Sequence, residues 1–138
     1  MNKIFEVRDR NGELYFERFL IRETEDYELL YHKIYKADKD PHLHNHSWWF
    51  RTTIVKGGYV ERRINNVSGT ELKRTWLAGD SYEMWKGEYH KIHRTMFDFP
   101  TETIVLRTKT DEDTWGYLVD GKHVPHVEYR KLINDRQE

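Results

Sequence analysis

The chain contains no cysteine. That excludes a disulfide, a thiolate metal ligand and a cysteine nucleophile, and it is compatible with a reducing compartment. No run approaches the roughly 18 apolar residues that a membrane span needs. The opening MNKIFEVRDRNGELYF has charges scattered through it and no apolar stretch of signal-peptide type. Neither sign of charge dominates: 23 basic residues face 24 acidic ones, for a net charge of −1. The basic surplus that usually marks a nucleic-acid binder is therefore missing. No low-complexity tract, linker or solenoid-period repeat is present. The expectation is a soluble, cytoplasmic protein with one domain over residues 1–138, no nucleic-acid partner and no membrane partner.

What the chain does have is aromatic material. Five Trp and nine Tyr within 14% aromatic residues are ample for a core or a lined pocket. Short apolar runs alternate with turn signals. Asn11-Gly12 precedes Leu14–Ile21, and Tyr27–Tyr35 follows with Tyr27, Leu29, Tyr31 and Tyr35 on one face. Trp48–Val55 ends at Gly57-Gly58, a tight turn into Tyr59–Ile64. Asn65-Asn66 and Ser68-Gly69 break the chain before Thr70–Trp76. Gly79-Asp80 precedes Ser81–Trp85, and Gly87-Glu88 leads into Tyr89–Phe97. Thr103–Thr110 and Trp115–Val119 complete about nine strands, the pattern of an all-β sandwich or barrel. One helix is expected, His126–Asp135, with Pro125 before it and a solvated charged face of Glu128, Arg130, Lys131, Asp135 and Arg136.

Histidine is concentrated in one place. His42, His44 and His46 alternate within Asp38-Lys39-Asp40-Pro41-His42-Leu43-His44-Asn45-His46-Ser47-Trp48-Trp49. On a strand all three would point to one face. At about 3.3 Å per residue, His42 and His46 start about 13 Å apart, too far for both to reach one ion on a straight strand. The expected ligands are an adjacent pair, His44 with His46, because Pro41 places His42 at the strand margin. A third ligand must come from elsewhere. His90 and His93 are the candidates, and being three apart only one of them can point inward. The turn at Gly87-Glu88 favours His90, leaving His42 and His93 as alternates. His32, His123 and His126 have no such partners and read as ordinary structural or surface histidines.

These residues resemble the two motifs of the cupin superfamily. His44-x-His46 followed by Gly57-Gly58 is similar to the first, and Gly79-Asp80, Gly87 and His90 follow the order of the second without its proline. The chain also resembles a group of small single-domain cupin-like proteins. The likeness lies in Asp40-Pro41-x-Leu43-His44-x-His46-x-Trp48, Gly57-Gly58-Tyr59, Trp115-Gly116-Tyr117 and Asp120-Gly121-x-x-Val124-Pro125. The resemblance implies a single cupin-type β-barrel, or jelly roll, with a short C-terminal helix. It implies a mononuclear divalent metal ion, Fe(II) first, with Mn, Ni or Zn as alternatives. The usual acidic ligand is replaced by the aromatics at positions 48 to 50. This leaves a triad of His44, His46 and His90, or a site with no metal, with Glu61 and Glu83 as the nearest acidic substitutes.

Such a barrel holds a small molecule beside the metal. Trp48 or Trp49, Tyr59, Tyr82, Trp85 and Phe97 are candidate lining residues. Arg51, Arg62, Arg94 and Arg107 are candidates to hold an anionic group. The substrate-contacting set is thus Trp48, Tyr59, Arg51, Arg62, Trp85 and Arg94. Three functions are open: an Fe(II)-type dioxygenase or oxidoreductase, a non-catalytic binder of a small anion, and a metal-free isomerase or epimerase. The last would use His90 as base and Tyr82 as acid. A homodimer is also expected, paired through Thr103–Thr110 or the N-terminal strands.

Overall fold

The computed structural model describes residues 1–65, 68–109 and 115–137, with side chains of the last stretch described to residue 132. Its elements run β1 (Asn2–Arg8), β2 (Leu14–Glu23), β3 (Tyr27–Ile34), β4 (Phe50–Lys56), β5 (Gly58–Ile64) and β6 (Glu71–Leu77). They continue with β7 (Ser81–Met84), β8 (His90–Thr95), β9 (Thr101–Thr108), β10 (Gly116–Val119), β11 (Lys122–Pro125) and α1 (His126–Gln137). Of the expected turn and strand residues, Asn66 and Thr110 lie outside the described residues, as do the side chains of Ile133, Asp135 and Arg136.

Six strands form one antiparallel sheet in the order β1-β2-β3-β9-β4-β7, and three form a second in the order β6-β5-β8. The sheets face each other as an all-β jelly roll and do not close into one continuous barrel. Strand alternation sets the inner face of the large sheet. Leu30 pairs with Leu20 and Val105, and Val105 pairs with Thr52, which pairs with Tyr82. Leu30, Ile34, Phe50, Ile54, Met84 and Val105 are buried there, and Tyr59 joins them from the small sheet. On β3 the buried face is therefore Leu30 and Ile34, opposite to the tyrosine face picked out by the sequence pattern.

Gly57 turns the corner between the sheets. It has φ of +80°, and a Cβ there would sit 2.8 Å from the Thr101 hydroxyl. The expected tight turn is thus a corner, because β5 pairs with β6 and β8 and not with β4. Two strands escape the sequence pattern. β1 is an exposed edge rich in charge, and β11 is only four residues long. The expected pairing edge at Thr103–Thr110 also needs correction. β9 lies inside the sheet between β3 and β4, so its backbone bonds are already used, whereas β1 keeps an open edge.

The hairpin β10–β11 and α1 form a small annex with its own cluster of Tyr117, Val119 and Tyr129. Tyr117 and Tyr129 stack with ring centroids 3.8 Å apart. Glu128, Arg130 and Lys131 are exposed, as a solvated helix face requires. Among the described residues no helix is long and apolar enough to cross a membrane.

Candidate metal centre

His44 and His46 lie on the irregular segment between β3 and β4, and His90 opens β8. The expected strand at 42–46 reduces to an isolated bridge at His44. His44 and His90 exchange backbone bonds, each N–H donating to the other's carbonyl over 2.8 Å. That direct pairing brings their rings to 4.8 Å, and His46 lies 5.0 Å from His44 and 5.3 Å from His90. The other side of the segment is tied to β10. Asn45 N–H donates to the Gly116 carbonyl at 3.0 Å, and Gly116 N–H donates to Asn45 Oδ1 at 2.8 Å.

The result is a group able to hold a metal ion. One nitrogen from each of His44, His46 and His90 lies within 4.8 Å of the others. His46 Nε2 and His90 Nε2 are 3.1 Å apart. Two nitrogens bound to one ion at about 2.1 Å stand about 3.0–3.4 Å apart, so this pair already has ligand spacing.

Glu61 decides which His90 nitrogen is available. It is fully buried on β5, and its Oε2 lies 2.7 Å from His90 Nδ1. Burial alone would raise this carboxyl. The hydrogen bond and charge of His90, together with Arg63 and Trp76, outweigh that and hold it below its usual value. An ionised Glu61 accepts only, so His90 Nδ1 carries the proton and His90 Nε2 presents its lone pair toward His46. Glu61 Oε1 in turn accepts from Trp76 Nε1 at 3.2 Å and pairs with Arg63 at 3.2 Å. Glu61 is thus the acidic partner of the site, held behind a histidine. Glu83 is exposed and pairs with Arg51.

Burial pushes His44 well below the usual histidine range, with His90 and Lys91 adding to it. His46 is lowered in the same direction by burial, then by His44, His90, Arg18 and Arg107. His32 is lowered by burial, then by Arg18 and Arg107. All three are neutral imidazoles at neutral pH, the form a metal requires. This has a consequence for the metal-free protein. Below the unfolded value near 6.5 the unfolded chain takes up protons that the folded chain refuses. The stability from these groups is full above pH 6.5 and is lost as pH falls toward the depressed folded values, by up to about 1.4 kcal/mol per pH unit for each. The urea midpoint of chelator-treated protein is expected to drop clearly between pH 8 and pH 5.5, and an unchanged midpoint would refute this.

The three histidines open onto a cavity of about 260 Å³. Among the expected residues, Trp48, Tyr59 and Tyr82 line it. Tyr82 stacks on Trp76 and shares a short hydroxyl–hydroxyl contact with Tyr59. Burial, then Glu61, raises the Tyr82 phenol, which keeps its proton at neutral pH. Arg107, also expected, enters the cavity over the Trp48 ring at 4.8 Å.

Other expected residues lie elsewhere, for reasons of strand parity and pairing. Arg51 is exposed and bound to Glu83 and Ser81, because the alternate residues Phe50 and Thr52 take the inner face. Arg62 pairs with Glu71 on the neighbouring strand. Arg94 is exposed, and Trp85 is 63% exposed at the end of β7. Phe97 stacks on Phe99 at the surface. Of the alternate ligands, His42 turns away, with Nδ1 3.0 Å from the Tyr129 hydroxyl, and His93 is exposed. Arg18, which the sequence does not single out, and His32, expected to be an ordinary structural or surface histidine, both line the cavity. Their signal is parity, since they alternate with Phe16, Leu20, Leu30 and Ile34 on the inner face.

No protein-family model matches the sequence, and no curated protein does. Solved structures do. The chain superposes on an uncharacterised conserved protein with a double-stranded β-helix domain from Klebsiella pneumoniae, with a TM-score of 0.56 at 17% identity over 80% of this chain and 89% of that one. It superposes on Fe(II) HppE with a TM-score of 0.59 at 10% identity, covering 76% of this chain and 56% of HppE. The cupin domain of Drosophila melanogaster CENP-C gives 0.58 at 14% identity, over 75% of this chain and 74% of that domain. The class defined by this architecture is the cupin-like, double-stranded β-helix domain. At these identities the likeness is one of fold.

Proposed function

We propose that the protein is a mononuclear metal-dependent cupin that oxidises a small molecule, with His44, His46 and His90 as the metal ligands. The observation that carries this reading is the 3.1 Å approach of His46 Nε2 to His90 Nε2, with Glu61 holding the opposite face of the His90 ring. A buried carboxylate behind a histidine fixes its tautomer and raises its basicity, an arrangement typical of metal sites. Three neutral ligands leave a divalent ion its full charge. Such an ion supplies Lewis acidity and, where it is ferrous iron, the capacity to use O₂ as oxidant. The chain's own residues bind and enclose the substrate. Trp48, Phe50 and Tyr59 wall the cavity, and the protonated Tyr82 offers a donor toward it. The Fe(II) HppE neighbour shares the fold and is consistent with iron in such a site.

The first test is elemental analysis of tag-free protein, then oxygen uptake after anaerobic reconstitution with ferrous iron. Close to one metal per chain is expected. A chain that takes up no metal, even after reconstitution, overturns the reading. Isomerase chemistry with His90 and Tyr82 would then lead, because both line the same cavity.

A further inference from the structure

A second group of polar side chains faces the cavity from the large sheet. Arg18 pairs with His32 across β2 and β3, and His32 pairs with Thr103 across β3 and β9, so the three form one inward row. Polar residues on an inner sheet face are costly unless something satisfies them. The row is satisfied only in part. Arg18 Nε donates to His32 Nε2 at 3.1 Å. Because His32 accepts there as a neutral ring, its proton is on Nδ1 and remains a donor. The Thr103 hydroxyl is buried, lines the cavity and has no hydrogen-bond partner among the described residues.

The charges are also unbalanced. Glu28, a carboxylate whose charge reaches Arg18, is taken by Arg107, with Arg107 Nη2 3.2 Å from its Oε1. Lys36 is matched by Asp9 and Glu13. Arg18 forms no ion pair among the described residues, and its guanidinium is held between the rings of Phe5 and Phe16, 5.4 Å from each centroid. Burial, then Arg107, lowers it to about 10, so it still carries its charge at neutral pH. Among the described residues the one carboxylate on the cavity wall, Asp38, accepts from Ile92 N–H at 2.7 Å and has His90, Lys91 and Asp40 as its charged neighbours. A half-buried cation without an ion-pair partner among the described residues, in one row with an unpartnered hydroxyl, is suited to an anion.

We propose that Arg18, His32 and Thr103 form a subsite for the carboxylate of a compact organic acid, whose other end reaches toward the three histidines. With Nε spent on His32, the Arg18 fork presents its two terminal nitrogens, the geometry that takes a carboxylate bidentately. One uncompensated positive charge matches a monoanion better than a phosphate dianion. The cavity of about 260 Å³ lies just below the usual range for drug-sized ligands and suits a compact acid. His46 feels both Arg18 and Arg107, so the subsite and the histidines share one space. The inference rests on the proposed function only for where the acid's far end points.

The test uses chelator-treated protein, so that it is independent of metal. Propionate, its neutral isostere propionamide, and inorganic phosphate are titrated while the Thr103 amide and the Arg18 Nε–H are followed by NMR. Propionate is expected to bind saturably and at least tenfold more tightly than propionamide. Arg18→Met is expected to weaken it at least tenfold, with an unchanged circular-dichroism spectrum. Thr103→Val, which keeps charge and volume, is expected to weaken it about two- to tenfold, and it carries the test if Arg18→Met does not fold. No saturable propionate binding, equal binding by the variants, or tighter binding of phosphate each overturns the proposal. Propionate binding in a chain that takes up no metal supports the subsite and refutes the metal reading, so the two fail separately.

Discussion

Replacing His90 with alanine is expected to abolish stoichiometric metal binding, and Glu61→Gln to weaken it by about 10- to 100-fold without emptying the site. The two variants separate a ligand from the group that orients it. His90→Ala removes the nitrogen that stands 3.1 Å from His46 Nε2, leaving two histidines on one irregular segment. Glu61→Gln keeps the side chain's shape. Its amide oxygen can accept from His90 or from Trp76, whereas the carboxylate serves His90 with one oxygen and Trp76 with the other, and Arg63 lies against both. One of those donors must then face an N–H, and the His90 ring loses a charged partner. Competition against a chromophoric zinc chelator reads both effects. Wild-type affinity in Glu61→Gln would mean that the buried carboxylate is merely structural.

Gly116→Ala is expected to destabilise the fold by about 1–3 kcal/mol or more, and to damage the metal site from a distance. A Cβ at this position would stand 2.2 Å from the Val124 carbonyl oxygen and 2.9 Å from the Pro125 Cα. Those are backbone atoms of the paired strand and cannot swing aside, so β10 and β11 must separate. Gly116 also makes both backbone contacts to Asn45, the residue between the two segment histidines. Denaturant unfolding reads the stability, and the same zinc competition reads the site. A variant as stable and as tight as wild type would show that the hairpin does not hold the histidines in place.

The local parts of the architecture are legible in the chain. Alternating apolar runs and glycine turns give most of the strands, and the turn signals fall close to their ends. His44-x-His46 and a histidine after a glycine turn are visible as a pair and a third member because metal ligation needs several imidazoles together. What pairs His44 with His90 is not visible. That depends on a single bridge between an irregular segment and β8, with 46 residues of separation along the chain. Glu61 is named by sequence only as one of two nearby acids. Its selection follows from the register of β5 against β8, which sets Arg63 opposite His90 and Glu61 opposite Ile92. Arg51 and Arg62 fail by parity and by neighbouring carboxylates, and Arg94 lies past a register shift in the β5–β8 pairing, while Arg18 has the right parity on a strand whose pairing no local signal reveals.

The tie between Asn45 and Gly116 also sets an order of events during synthesis. All three histidines leave the ribosome well before the hairpin that clamps two of them, since β10 and β11 lie C-terminal to His90. A nascent chain that has exposed residue 90 therefore has the three histidines but not the contacts that hold two of them. The bonds between Asn45 and Gly116 that hold the segment of His44 and His46 form only once the β10–β11 hairpin has emerged.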